Sequence, residues 1–145
     1  MPAFAVLTAS QRYEAVVEKG CLGRLHEFIP ARAGTIFVVT TEDVWRLHGA
    51  KLEAGLAGRP FQLLYFPGGE ERKRMASVEQ LAEQMVGAGG DRSSIVVAFG
   101  GGITNDLGST LTGRVDHVLP LAAGTGQVPT TTKTFVASVL ALDLL

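Results

Sequence analysis

Apolar positions in this chain alternate between short continuous runs and stripes at helical spacing. Phe4 to Thr8 and Tyr13 to Glu18 read as two short strands, with Ala9-Ser10-Gln11 between them as a hairpin connection. Cys21 to Ile29 carries Leu22, Leu25 and Ile29 at helical spacing, and Pro30 stops it. Thr35 to Thr40 is a compact β-branched run, as expected of a strand buried on both faces. From Glu42 to Ala57, Val44, Leu47, Leu52 and Leu56 recur about once per turn and predict an amphipathic helix that ends before Pro60.

Phe61 to Phe66 is a further apolar strand, broken by Pro67-Gly68-Gly69. Ser77 is placed to cap a helix running through Val86, with Val78, Leu81, Ala82 and Met85 as its inner stripe. Ser94 to Phe99 is another buried strand, and the glycines after it open a helix over Thr104 to Thr112. Beyond that the pattern weakens. Val115 to Leu121 reads as a strand, Ala122 to Thr134 as a Gly- and Thr-rich loop, and Phe135 to Leu145 is apolar up to the final Leu144-Leu145, which is expected to need a partner surface.

Strand, helix, strand, helix, strand, helix in that order implies right-handed crossovers and a parallel sheet. The expected class is therefore α/β: a Rossmann-like parallel sheet with helices on both faces and an N-terminal strand pair. Ligands of such sheets bind outside the carboxyl ends of the strands. Here those ends are Thr40-Thr41, Pro67 to Glu70, and Gly100 to Gly102.

Composition narrows the class. The 145 residues are 46% hydrophobic and 19% charged, with a formal net charge of −1, which fits one globular domain. No global basic field attracts nucleic acid or anionic lipid, so a phosphate site must be local. Cys21 is the only cysteine, so no internal disulfide forms, in keeping with a reducing cytoplasm; it reads as a small apolar filler. No signal peptide or membrane-spanning apolar run is visible. His26, His48 and His117 are scattered and lack metal-ligand spacing, so no metal site is expected on this chain.

Three stretches carry candidate chemistry. In Val96 to Asp106 a buried strand runs through Gly100, Gly101 and Gly102 into a helix start. Glycine lets backbone approach a pyrophosphate, and free N–H groups at a helix start bind its oxygens. Asp106 suits ribose or substrate hydroxyls; the alternative is a tight turn with Asp106 stabilising the first helical turn. In Pro67 to Lys73, Lys73 can meet a phosphate and Glu70 a ribose; the alternative is a solvated charged loop. In Gln127 to Thr131, the Thr130 and Thr131 hydroxyls could bond a nucleotide or cap a helix.

Taken in order, the three stretches resemble the 3-dehydroquinate synthase family. Pro67, Gly69, Glu70 and Lys73 match its P-x-G-E-x-x-K; Gly100, Gly101, Gly102 and Asp106 match its G-G-G-x-x-x-D; Val128 to Thr131 match its V-P-T-T. The resemblance is strong from Tyr13 to Gly108 and weaker to Thr131. It implies an NAD-binding domain over residues 1–145, in which Gly69, Glu70, Lys73, Gly100, Gly101, Gly102, Asp106, Thr130 and Thr131 hold NAD.

The implied reaction belongs to the shikimate pathway, which feeds chorismate and aromatic amino acids. It converts the sugar phosphate 3-deoxy-D-arabino-heptulosonate 7-phosphate to 3-dehydroquinate with loss of phosphate. NAD transiently oxidises the substrate, and a divalent metal, zinc or cobalt, polarises it. The family's metal ligands lie in a helical C-terminal domain that is absent here, so this chain alone is expected to bind NAD without turnover. The resemblance also allows a homodimer, with no nucleic-acid or membrane partner.

Several positions depart from the family pattern. Thr41 stands where many members have an aspartate that contacts the adenosine ribose. Gly108 is followed by Ser109-Thr110, and Arg114 by Val115, where the family has Gly-Phe and Arg-Gly. After V-P-T-T, Ala137 stands at an expected aspartate and no G-G-K follows, so residues from about 113 to 145 form an atypical tail. Ala122 to Gly126 is faintly similar to a loop of iron-dependent alcohol and glycerol dehydrogenases, which share G-G-G-x-x-x-D, so an NAD-binding piece of such a dehydrogenase is the related alternative. A non-catalytic binding module is the third.

Overall fold

A computed structural model of the chain describes residues 3–7, 12–17, 19–67, 75–100, 117–122 and 136–141. Within them lie β1 (Ala3–Leu7), β2 (Arg12–Val17), a 3-10 helix (Cys21–Glu27), β3 (Ile36–Thr40), α1 (Glu42–Gly55), β4 (Phe61–Tyr65), α2 (Met75–Gly87), β5 (Ile95–Gly100), β6 (His117–Ala122) and β7 (Val136–Ala141). The helix expected over Thr104 to Thr112 lies outside the described residues.

The strands form one sheet in the order β1-β2-β6-β7-β5-β3-β4. The parallel sheet expected from the βαβ alternation is present: β4, β3 and β5 are consecutive parallel neighbours, and β2 and β6 pair in parallel as well. β1 and β2 form the antiparallel hairpin, Leu7 opposite Arg12. β7 is the departure. Residues 136–141, part of the apolar tail, run antiparallel between β5 and β6. A β-branched and aliphatic run can pair with its neighbours in either direction, and strand alternation alone does not reveal which.

Each described helix covers one face of the sheet. In β3, Ile36 and Val38 join a core with Leu52 and Leu56 at the end of α1, Cys21 and Leu25 of the 3-10 helix, and Ile95, Val97 and Phe99 of β5. Phe37 and Val39 point the other way, into a core with Leu81 and Met85 of α2, Phe66 and Val96. All five β3 residues are buried, which is why the run lacks alternation. Burying each such side chain stabilises the fold by about 1.5–3 kcal/mol.

Three local expectations change. Leu47, placed by sequence in the inner stripe of α1, is 67% exposed. The stripe that packs is Val44, Trp45, Gly49, Leu52 and Leu56; Leu47 is two residues on from Trp45 and so points away from the sheet. Second, α2 begins at Met75, so Ser77 lies in its first turn instead of capping it. Met75 continues the spacing of Val78, Leu81, Ala82 and Met85, which extends the helix backward. Third, Cys21 to Ile29 is not an α-helix. Gly23 lowers helix propensity, Arg24 has non-helical angles (φ −119, ψ 25), and the segment closes as 3-10 turns with Cys21, Leu25 and Ile29 still buried.

The register of β3 against β5 is pinned at the amino end by a serine–aspartate turn. The Asp91 carboxylate accepts from the Ser93 backbone N–H (2.9 Å) and the Ser93 hydroxyl (2.6 Å). Ser94, fully buried, accepts from the Asp91 N–H at 2.9 Å. Gly34 N–H then donates to the Ser93 carbonyl at 2.8 Å, and Ile95 N–H to the Thr35 carbonyl at 2.9 Å. A one-residue slip here would reverse the facing of β5 and displace Gly100 along the edge.

Candidate functional site

The carboxyl edge of the sheet is level. Thr40 pairs with Tyr65 across β3 and β4, and with Phe99 across β3 and β5. Gly100 pairs with Val136, and Val136 with Ala122. The chain therefore leaves β4 through Phe66-Pro67, leaves β5 through Gly100, leaves β6 through Ala122 and enters β7 at Val136, all along one edge. Phe66 N–H donates to the Thr40 carbonyl at 2.7 Å, which carries the β4 pairing one residue beyond the strand.

That edge contains a topological switch point. β3 connects through α1 to β4 on one side, whereas the strand following β5 in sequence, β6, lies beyond β7 on the other side. In doubly wound sheets such a point, here at the ends of β3 and β5, is the crevice where ligands bind.

Of the nine residues expected to hold NAD, Gly100 is described: it is the buried last residue of β5. Gly69, Glu70 and Lys73 lie between Pro67 and Met75, outside the described residues. Gly101, Gly102 and Asp106 follow Gly100 directly, and Thr130 and Thr131 fall between Ala122 and Val136; these too lie outside. The described residues that flank all three motifs, Pro67, Gly100, Ala122 and Val136, share the carboxyl edge. β4 and β5 are two strand spacings apart, about 10 Å.

Thr41, which follows β3, is the N-cap of α1. Its hydroxyl accepts from the Val44 N–H at 3.4 Å, a long cap bond. Glu42 and Asp43 occupy the first turn, where the helix dipole favours carboxylates. Asp43 pairs with Arg46 at 3.0 Å, an exposed pair of small energetic weight. The resolved pKa shift among the described residues is Asp91, held below the usual aspartate range chiefly by the Ser93 hydroxyl. It sits at the amino edge, so it belongs to the register turn and not to the crevice.

One feature of this edge has no motif in the sequence. An open depression of about 290 Å³ adjoins the crevice on the β4 side, lined by Glu42, Asp43, Trp45, Arg46 and Tyr65. Trp45 stands against Phe61 with ring centroids 5.8 Å apart. The available signal was an aromatic residue one turn into the helix that follows the central strand. Among the described residues, no three His, Cys, Asp or Glu side chains cluster as metal ligands, and no described helix is long and apolar enough to cross a membrane.

Fold and edge together define an α/β domain of the doubly wound kind. Its sequence matches the family profile described as 3-dehydroquinate synthase N-terminal over residues 63–141. A 3-dehydroquinate synthase from Solibacter usitatus (strain Ellin6076) is 48% identical over 131 residues, covering 90% of this chain and 36% of that protein. The chain belongs to the 3-dehydroquinate synthase family and spans about a third of the length of the curated relatives it matches.

A 2-deoxy-scyllo-inosose synthase from Streptomyces paromomycinus is 42% identical over 113 residues, covering 76% of this chain and 28% of that protein. A solved structure of 2-deoxy-scyllo-inosose synthase complexed with carbaglucose-6-phosphate, NAD+ and Co2+ superposes with a TM-score of 0.68 at 22% identity, over 77% of this chain and 32% of that one. That likeness is one of fold.

Proposed function

We propose that the chain is the NAD-binding portion of a 3-dehydroquinate synthase, and that NAD lies along the carboxyl edge between β4 and β6. The observation that carries this is the common edge of Pro67, Gly100, Ala122 and Val136, which flank all three motifs. In this reading the N–H groups at Gly100, Gly101 and Gly102 meet the pyrophosphate. Gly69 lets backbone approach the cofactor, Glu70 and Asp106 accept ribose hydroxyls, Lys73 meets phosphate charge, and Thr130 and Thr131 bond the nucleotide. The family resemblance and the NAD+ bound in the related solved structure support the reading.

Bound NAD supplies reversible oxidation of a substrate alcohol. The chain's own task is to hold the dinucleotide and exclude water from one side of it. A divalent metal belongs to the full reaction, since the related structure carries Co2+. By the family resemblance the metal ligands belong to a helical C-terminal domain, so in this reading the chain alone binds NAD without turning over 3-deoxy-D-arabino-heptulosonate 7-phosphate. The proposed setting is a cytoplasmic shikimate pathway.

Calorimetry with NAD tests the binding, and a phosphate-release assay tests the silence; turnover by the purified chain would refute the latter. The 42% identity to a 2-deoxy-scyllo-inosose synthase favours a second reading, in which the same NAD domain serves another sugar-phosphate cyclisation. Reconstitution with each relative's remaining two-thirds, scored on both substrates, separates the two.

A further inference from the structure

We infer that the outer edge of β4 pairs antiparallel with β4 of a second copy of this chain, about a two-fold axis at Leu63. The pairing does not depend on the NAD reading above.

β4 closes the sheet beyond β3, and among the described residues nothing pairs with its outer side. The Phe66 N–H donates to the Thr40 carbonyl of β3. Backbone groups alternate sides along a strand, so Gln62 and Leu64 also face β3, and Phe61, Leu63 and Tyr65 turn their N–H and C=O groups outward. Open edges are ordinarily blunted by a charge, a proline or a bulge. β4 has none of these: Phe61-Gln62-Leu63-Leu64-Tyr65 is uncharged, and its register against β3 is unbroken.

A second copy fits this edge because the strand is complementary to itself. Antiparallel pairing centred on Leu63 sets it opposite the partner's Leu63, and sets Phe61 opposite the partner's Tyr65, each pair exchanging both N–H···O bonds. Phe61, Leu63 and Tyr65 share the α1 face, where Trp45 already stands 5.8 Å from Phe61. Tyr65, 42% exposed, gains an aromatic cross-strand neighbour.

Charge is complementary in the same arrangement. Arg59, whose described partners are the Ile29 and Pro30 carbonyls, precedes β4. Glu42 and Asp43 stand beside Tyr65 at the far end, where Arg46 pairs with Asp43 and leaves the group net negative. Antiparallel pairing brings the basic end of one copy to the acidic end of the other, twice by symmetry. The ends of β3 and β5 lie inward of β4, so the pairing leaves them open.

A pairing of this length is smaller than a standard interface, so the association depends on concentration. In sedimentation velocity the full chain should move from monomer toward dimer over about a hundredfold range of concentration. Each substitution acts twice, so Tyr65→Lys should weaken the association about tenfold. Cross-linking reads the register. Under mild oxidation Leu63→Cys should join two copies at the axis, whereas Tyr65→Cys, more exposed but off the axis, should not. Cys21 is buried and does not compete. Circular dichroism checks that each variant is folded; should Leu63→Cys unfold, the Tyr65→Lys comparison decides. A chain monomeric at every concentration, a dimer unweakened by Tyr65→Lys, or Tyr65→Cys cross-linking as readily as Leu63→Cys overturns the inference.

Discussion

Gly55 and Leu22 meet so closely that a Cβ on Gly55 would run into the Leu22 carbonyl oxygen. The last turn of α1 thereby packs directly on the backbone of the 3-10 helix, and His26 Nδ1 lies 3.1 Å from the Gly55 carbonyl oxygen in the same contact. Backbone cannot yield as a long side chain can. Gly55→Ala should therefore destabilise the fold by about 2–3 kcal/mol, read as a lower denaturant midpoint with unchanged slope.

Ala57, just after α1, has a φ of 51 in the left-handed region, where glycine is favoured. Relief of that strain outweighs the extra freedom glycine brings to the unfolded chain. Ala57→Gly should stabilise the protein by about 0.5–1 kcal/mol, a rise of a few degrees in melting temperature.

Leu47 and Leu52 share α1 but differ fully in burial, at 67% and 0% exposure. Leu52→Ala should cost about 2–5 kcal/mol, whereas Leu47→Ala should stay within about 0.5 kcal/mol. Equal effects in paired melts would contradict the facing of the helix.

Much of the fold was legible because each element carries a local signal. Thr35 to Thr40 and Ser94 to Phe99 are continuous β-branched and apolar runs, so the central strands were readable to within a residue. Leu47 departs from the expected inner stripe because Leu identity says apolar without saying inward, and at this position the angular phase points out. β7 was not read because partner choice for residues 136–141 depends on β5 and β6, both remote in sequence. At the candidate site, the strand ends were legible from Gly and Pro punctuation. The depression was not, because Trp45 and Tyr65 belong to different elements and meet only after α1 folds back on the sheet.

Asp91 gives the fold an acid-sensitive register. Its pKa is lowered on folding, first by the Ser93 hydroxyl and then by the Ser93 N–H. A carboxylate more acidic in the folded state contributes fully above its unfolded value, and that contribution is lost as pH falls through the folded one. The unaltered chain should lose stability on acidification through and below the ordinary aspartate range. Asp91→Asn should flatten that part of the pH–stability curve, as read by urea melts at stepped pH.

The most direct measurement of all is isothermal titration of NAD into the unaltered chain and into Gly101→Val, which would crowd the backbone where pyrophosphate is proposed to sit. Saturable heat from the first, weakened by more than about tenfold in the second while both remain folded, is the predicted result. No heat and no thermal shift at millimolar NAD, or equal affinity in the two proteins, would contradict a dinucleotide lying along the carboxyl edge.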